Sequence, residues 1–271
     1  MSAAPAIVVA KNLTKAFDGH PVLNGVDLEV GNGEFVSVMG PSGSGKSTLL
    51  YNISGMDTMT SGTVVFDGQD LGTLGQKKLA RLRLTRMGFV FQHVHLLKNL
   101  SLLDNVVLPA YLAGLAPRDE LDDRARRLLE RTGVAGLADR DVSEASGGQL
   151  QRIGICRALM NQPTILLGDE PTGALDSAAA SEIMDILCEL NADGTTIMLV
   201  THDAKVAART GRVLYMVDGR IVADRHLSGS LDTDLEQRHA ELTEWLLLQE
   251  RARSRGTPAA TAPATRRAGR P

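Results

Sequence analysis

The nine residues Gly40-Pro41-Ser42-Gly43-Ser44-Gly45-Lys46-Ser47-Thr48 fit the pattern G-x-x-x-x-G-K-[ST]. Residues of these types at this spacing can hold a polyphosphate. Glycines let the backbone curl tightly, and successive N–H groups then point inward at the negative charge. Lys46 is spaced to reach the β and γ phosphates, and Ser47 to offer its hydroxyl to Mg²⁺. An apolar run from Phe35 to Met39 precedes the loop as a buried strand, and Leu49 to Ile53 continues it as a helix. The helix N-terminus adds a favourable partial charge. A glycine-rich turn that binds nothing would need neither neighbour.

A second concentration of chemistry lies at Thr164-Ile165-Leu166-Leu167-Gly168-Asp169-Glu170-Pro171. Here a buried strand delivers two adjacent carboxylates at its C-terminal edge, where open α/β sheets bind ligands. Asp169 is placed to hold the Mg²⁺ shell, and Glu170 to polarise an attacking water. Burying both acids without a cation would be costly. Another strand, Thr196 to Val200, ends at Thr201-His202-Asp203, so His202 can contact a γ-phosphate. Gly88 to Phe91 reads as a strand ending at Gln92. Ser146-Gly147-Gly148-Gln149 opens a helix that runs to about Met160, with Ser146 at the N-cap. Taken alone, that start is either a second anion site or a plain cap. Phe17 stands out in a chain that is only 3% aromatic. Its ring either stacks on a purine base or fills a core. His93 and His95 have no cysteine or carboxylate at ligand spacing and read as loop histidines.

The remaining elements position these residues. Ala6 to Leu13 and Val26 to Val30 are β-rich, with turns at Asp18-Gly19 and Gly31-Asn32-Gly33. A strand at Thr63 to Phe66 and a turn at Asp67-Gly68 follow the phosphate loop's helix. Gln76 to Met87 is helical and basic. Leu102 to Thr132 is mostly helical, with expected breaks at Pro109 and around Gly114 to Pro117. A helix spans Ser177 to Asn191, and strands Arg212 to Val217 and Arg220 to Ala223 flank an Asp218-Gly219 hairpin turn. Beyond His226, Leu231, Leu235, Leu242, Trp245 and Leu246 make one apolar helical stripe, which must pack on the body or on a partner. From Arg251 the chain is Ala, Pro, Thr, Gly and Arg, and is expected to be disordered.

At 271 residues, 43% hydrophobic and 23% charged, the chain can bury a sizeable core. Its net charge of −3 gives no electrostatic argument for nucleic-acid binding, and none is expected as a partner. No apolar run approaches the ~20 residues needed to span a bilayer. The N-terminus lacks the flank and apolar stretch of a signal peptide. Cys156 and Cys188 sit in expected helices without metal spacing, so a reducing compartment fits.

With these residues in place, Ile7 to Asp224 resembles the nucleotide-binding subunits of ABC transporters. Phe17 matches the family's adenine-stacking aromatic, Gly40 to Thr48 its Walker A motif and Gln92 its Q-loop. Ala145 to Gln149 matches the LSGGQ signature, with Ala145 where leucine is usual. Val142 stands where related subunits often have proline. Ile165 to Asp169 matches Walker B, with Glu170 as the catalytic carboxylate. Ala174-Leu175-Asp176 matches the D-loop and His202 the switch histidine. Gly55 to Gly62, Phe91-Gln92, Asn105-Val106 and Asp169 to Ser177 are similar to the macrolide-exporter, lipoprotein-release and bacitracin-resistance group.

The resemblance implies a P-loop NTPase fold: a RecA-like α/β core with an antiparallel β subdomain and an inserted helical subdomain at about 76–160. Residues 1–225 would form the ATPase domain, 226–250 an amphipathic helical extension and 251–271 a tail. ATP and Mg²⁺ are the implied cofactors, with Gln92 joining Ser47 and Asp169 at the metal. Lys46, Gln92, Glu170 and His202 would be catalytic. Ser146, Gly147, Gly148 and Gln149 of one subunit, with Asp176, would close on the nucleotide of another in a head-to-tail dimer, either a homodimer or a pair with a related ATPase. The implied partner is a separate integral-membrane permease, which places the chain at the cytoplasmic face of the membrane. The implied cargo is a drug, an antimicrobial peptide or a lipid-linked substrate. The alternatives are a cell-division ATPase that signals through a similar permease, and a non-transport ABC ATPase acting on DNA or ribosomes. The latter usually carries a coiled-coil insert or two cassettes, whereas this chain has one Walker A motif and no extended heptads.

Overall fold

The computed structural model describes residues 6–227 and 235–254. Its first part is an antiparallel sheet. β1 (Ala6–Phe17) and β2 (His20–Gly31) pair around the Asp18-Gly19 turn. Both run longer than their apolar alternation suggested, because bulges break the period-2 pattern. Asn12 marks one such bulge, with φ 47° and its N–H donated to Asp27 Oδ1 at 2.8 Å. β4 (Ser61–Phe66) and the two-residue β5 (Gln69–Asp70) complete the order β2-β1-β4-β5. The sequence gives no sign of β5, which is too short to show alternation.

The second sheet contains β3 (Phe35–Met39), β6 (Met87–Phe91), β7 (Ile165–Asp169), β8 (Thr196–Val200), β9 (Arg212–Val217) and β10 (Arg220–His226). Its order is β10-β9-β3-β8-β7-β6, with only β10 antiparallel. Every residue of β3 and β8 is buried, which is why these strands read as unbroken apolar runs. Because β3, β8, β7 and β6 are parallel neighbours, their C-terminal ends share one edge. Gly40, His202, Asp169 and Gln92 come to that edge from four distant parts of the chain.

The helices are α1 (Lys46–Ile53), α2 (Gln76–Arg86), α3 (Leu102–Ala113), α4 (Arg118–Arg131), α5 (Gly147–Leu159), α6 (Ser177–Ala192), α7 (Ala204–Ala207) and α8 (Leu235–Ser254). α3, α4 and α5 bury an apolar cluster of their own that includes Leu103, Val106, Leu121, Leu129 and Ile153. Pro109 does not break α3, contrary to the expectation from sequence. The missing N–H costs the helix about 3 kcal/mol. Against this, the helix buries Leu102, Leu103, Val106, Val107 and Ala110, each large apolar side chain contributing about 1.5–3 kcal/mol. The Ser101 side chain also caps its start by accepting from Asp104 N at 3.0 Å. The break near Gly114 is present, at φ 63°.

α8 packs on the body. Leu242 is fully buried, and Leu235, Trp245 and Leu246 are partly buried against β9, α7 and Met39. The helix runs through Ser254, four residues into the stretch expected to be disordered. Arg251 and Arg253 in its last turn favour that extension, since cations suit a helix C-terminus. Leu231 and residues 255–271 lie outside the described residues. Cys156 and Cys188 are free, and burial pushes the Cys156 thiol up to about 12. No described helix is long and apolar enough to cross a membrane.

Candidate nucleotide site

The loop between β3 and α1 is tight because its glycines have no side chains. Gly40 has φ 149°, and a Cβ there would lie 2.0 Å from the Met216 carbonyl oxygen. Gly45 has φ 98°, and its Cβ would lie 2.9 Å from Val22 O. The loop is backed by the β9–β10 hairpin, whose Gly219 N–H donates to Ser44 O at 3.0 Å. Lys46 Nζ donates to Gly40 O at 2.9 Å and Pro41 O at 2.8 Å, closing the loop on itself. Burial pushes the Lys46 pKa down, against the opposing pull of Glu170 and Asp169. A cavity of about 330 Å³ opens here, lined by Val22, Ser42, Gly43, Gly45, Lys46, Ser47, Thr48, Glu170 and Val200.

Asp169 is held from α1 at both oxygens. Ser47 Oγ donates to Oδ1 and Tyr51 Oη to Oδ2, each at 2.8 Å. The Tyr51 pKa is pushed up to about 12, by burial first and then by the hydrogen bond and charge of Asp169. Glu170 adopts a left-handed conformation, φ 50°, with its N–H donated to Val200 O at 2.9 Å. Such a conformation is uncommon for a long side chain and turns the chain sharply at the end of β7. Both Glu170 oxygens lie 2.9 Å from His202 Nδ1, a geometry in which the tautomer with Nδ1–H donates a hydrogen bond to the carboxylate. Gln92 is exposed, and a Cβ at Gly173 would lie 3.0 Å from its Nε2. Tyr51 was missed from sequence, although its position four residues after Ser47 puts both on one helix face.

The residues present suit a phosphate chain and a hard cation. The first-turn N–H groups of α1 have no intrahelical acceptors, and no side chain caps them. Gly43 faces open space, and Ser44 Oγ is buried without a hydrogen-bond partner. The Ser47 hydroxyl and Asp169 carboxylate are oxygen donors of the kind Mg²⁺ takes. Among the described residues no group of three or more His, Cys, Asp or Glu is gathered for a metal. A cation here would therefore complete its shell from nucleotide oxygens and from groups such as Gln92.

The signature residues lie elsewhere. Ser146, Gly147, Gly148, Gln149 and Asp176 line a separate cavity of about 460 Å³, together with Arg152, Ala174 and Leu175. Ser146 forms a capping box with Gln149. Its N–H donates to Gln149 Oε1 at 2.9 Å, and its Oγ accepts from Gln149 N at 3.4 Å. Asp176 caps α6, accepting from Ala178 N at 3.0 Å and Ala179 N at 2.9 Å. Phe17 is 48% exposed at the end of β1 and does not line the phosphate cavity. Lys15 Nζ sits 4.5 Å above its ring, itself fixed by Asp57 Oδ1 at 2.6 Å. The fold thus gathers Ser47, Asp169, Glu170 and His202 with Lys46, and sets Ser146 to Gln149 and Asp176 apart from them.

The family described as ABC transporter matches residues 23–173. The macrolide export ATP-binding/permease protein MacB 1/2 of Paracoccus denitrificans is 50% identical over 204 residues, covering 75% of this chain and 30% of that protein. The lipoprotein-releasing system ATP-binding protein LolD of Aquifex aeolicus is 43% identical over 218 residues, covering 80% of this chain and 97% of that protein. The chain therefore spans under a third of the macrolide-export relative but nearly all of the lipoprotein-release one. Among solved structures, the dimeric post-hydrolysis state of the ATP-binding cassette MJ0796, bound to ADP and Pi, is 40% identical with a TM-score of 0.76. It covers 82% of this chain and all of that one.

Proposed function

The chain belongs to the ABC transporter family, and on that premise we propose that it is an ATP-hydrolysing subunit that dimerises head-to-tail on ATP to drive a membrane permease. The observation that carries this reading is the division of the site. The phosphate cavity holds Lys46, Ser47 and Glu170, while Ser146 to Gln149 line a different cavity on the same chain. Each chain offers one half of a nucleotide site at each place, and a second copy turned head-to-tail supplies the missing half.

In that assembly the loop N–H groups and Lys46 bind the phosphates, with Lys46 released from the Gly40 and Pro41 carbonyls. Ser47 and Asp169, joined by Gln92, would hold Mg²⁺, which supplies charge neutralisation at the phosphate oxygens. Glu170 orients a water and accepts its proton, and the bond from His202 fixes the carboxylate's direction. Because phosphoryl transfer needs little covalent help, positioning and charge account for most of the rate. Ser146 and Gly148 from the opposite subunit close the γ-phosphate side, and loss of that phosphate loosens the pair. Phe17 offers its exposed ring to the base. Residues 1–225 form the ATPase domain, with the helical segment at about 76–160 meeting the permease at the cytoplasmic face of the membrane. Likeness to macrolide-export and lipoprotein-releasing proteins supports export or extraction of a drug, peptide or lipid-linked substrate.

The test is to purify Glu170→Gln from its own membranes with ATP. The expected product is an ATP-bound dimer together with an integral-membrane protein. A variant that stays monomeric at saturating ATP refutes the sandwich, and recovery of nucleic acid or ribosomes in place of a membrane protein refutes the transporter assignment.

A further inference from the structure

α8 reaches the nucleotide site through two separate contacts, although none of its residues lines the phosphate cavity. Near its start, Arg238 is 4% exposed and donates from Nε to Ala208 O at 2.9 Å and from Nη2 to Thr210 O at 2.7 Å. Both carbonyls belong to the segment 201–211 that carries His202. That segment is tied at both ends to the strand leading into the phosphate loop. Thr201 N donates to Val38 O at 3.1 Å and Gly211 N to Phe35 O at 2.9 Å. Between them, buried Thr210 Oγ1 lies 3.0 Å from Ser37 Oγ. Further along α8, Trp245 meets Tyr215 edge-on, ring centroids 6.1 Å apart, and Arg253 pairs with Asp218 at 3.7 Å. Tyr215 and Asp218 belong to the hairpin whose Met216 carbonyl abuts Gly40 and whose Gly219 holds Ser44.

We propose that α8 is a brace on the nucleotide site, holding the His202 segment and the loop-backing hairpin in one register, with Arg238 as a positioning residue for His202. This rests on the ATPase reading above. A buried guanidinium is costly unless its donors are met, so apolar contacts such as those of Leu242 would have anchored the helix at less cost. A planar fork spanning two carbonyls fixes the direction of a segment as well as its place, which an aliphatic side chain does not. The C-terminal end of α7 also needs donors for its last carbonyls, and Arg238 supplies one. The two contacts lie along one continuous helix, Arg238 in its first turn and Trp245 and Arg253 further on, so a shift at the phosphate loop is felt at His202 through α8.

Trp245 is the only tryptophan in the chain, so its emission reports α8 without a label. In the full chain, ATP added without Mg²⁺ should shift that emission saturably, at the affinity measured separately by equilibrium dialysis, and Lys46→Ala should abolish the shift. Bound nucleotide with unmoved emission overturns the brace alone. Failure of the unaltered chain to bind nucleotide overturns the ATPase reading and the brace with it. Arg238→Met should lower kcat about tenfold with KM for ATP within about twofold. In a His202→Ala background, the same substitution should cost less than about twofold in single-turnover assays. Equal losses in both backgrounds would make Arg238 a general stabiliser and refute its positioning role. Arg238→Lys keeps the buried charge without the fork and should lose about threefold in kcat. It carries the same two-background comparison if the methionine variant does not fold.

Discussion

Replacing Tyr51 by phenylalanine removes one hydroxyl and keeps the ring. That hydroxyl donates to Asp169 Oδ2 at 2.8 Å, while Ser47 Oγ holds the other oxygen. A hydrogen bond to a charged group is worth about 1.5–3 kcal/mol. Asp169 is half-buried at the cavity edge, where water can replace the lost donor, so the expected loss is about 1–1.5 kcal/mol. The pH dependence makes the test specific. Folding raises the Tyr51 pKa from 10.0 to about 12, so the fold favours the protonated phenol. The resulting stability is fully present below about pH 10 and is lost as pH climbs through about 12. At 1.36 kcal/mol per unit, that loss cannot exceed about 2.7 kcal/mol, and solvent screening of the partly exposed phenol holds it to about half of that. Urea unfolding of both proteins, without nucleotide or Mg²⁺, should show Tyr51→Phe less stable by a constant amount from about pH 7 to about pH 10. Above that the gap should close toward about pH 12, while titration of other groups, Cys156 among them, cancels between the two proteins. Equal stability at neutral pH, or a gap that stays flat through alkaline pH, would refute the claim that Tyr51 holds Asp169.

Gly40→Ala should cost more than about 3 kcal/mol in denaturant unfolding, because its Cβ would lie 2.0 Å from the Met216 backbone oxygen. A loss under about 1 kcal/mol would mean that the hairpin does not back the loop. Ser146→Ala should lower stability by only about 1 kcal/mol, the usual effect of losing an N-cap. The same substitution should weaken ATP-driven dimerisation of Glu170→Gln in sedimentation experiments, and unaltered dimerisation would leave Ser146 as a cap alone.

Much of the sheet edge that carries the phosphate loop was legible in the sequence because its signals are local. The pattern from Gly40 to Ser47 sits between a five-residue apolar run and a helix, and Ile165 to Asp169 is a buried strand ending in acids. In each case backbone chemistry over fewer than ten residues dictates the element, so β3, β7, β8 and β9 appear within the bounds their residues suggest. What failed depends on neighbours distant in sequence. Pro109 ends a helix by local rules, but the apolar face of α3 is worth more to the fold than one backbone hydrogen bond. β5 exists only because β4 is there to pair with it.

The sequence alone determined the chemistry available: a phosphate loop with Lys46 and Ser47, two strand-end acids, a histidine and a capped glycine pair. Only the tertiary structure decided how these are shared out. Parallel order in the sheet carries Gln92, Asp169 and His202 to the edge that holds Gly40, and α1 turns Tyr51 onto Asp169. The same packing sends Ser146 to Gln149 to another cavity, apart from the phosphate loop, and it lays α8 against β9 and α7. The physical reason is range. Hydrogen-bonding and conformational preferences act within a few residues and can be read along the chain, whereas sheet order and helix docking follow from burying apolar surface contributed by residues as far apart as Ile7 and Met216.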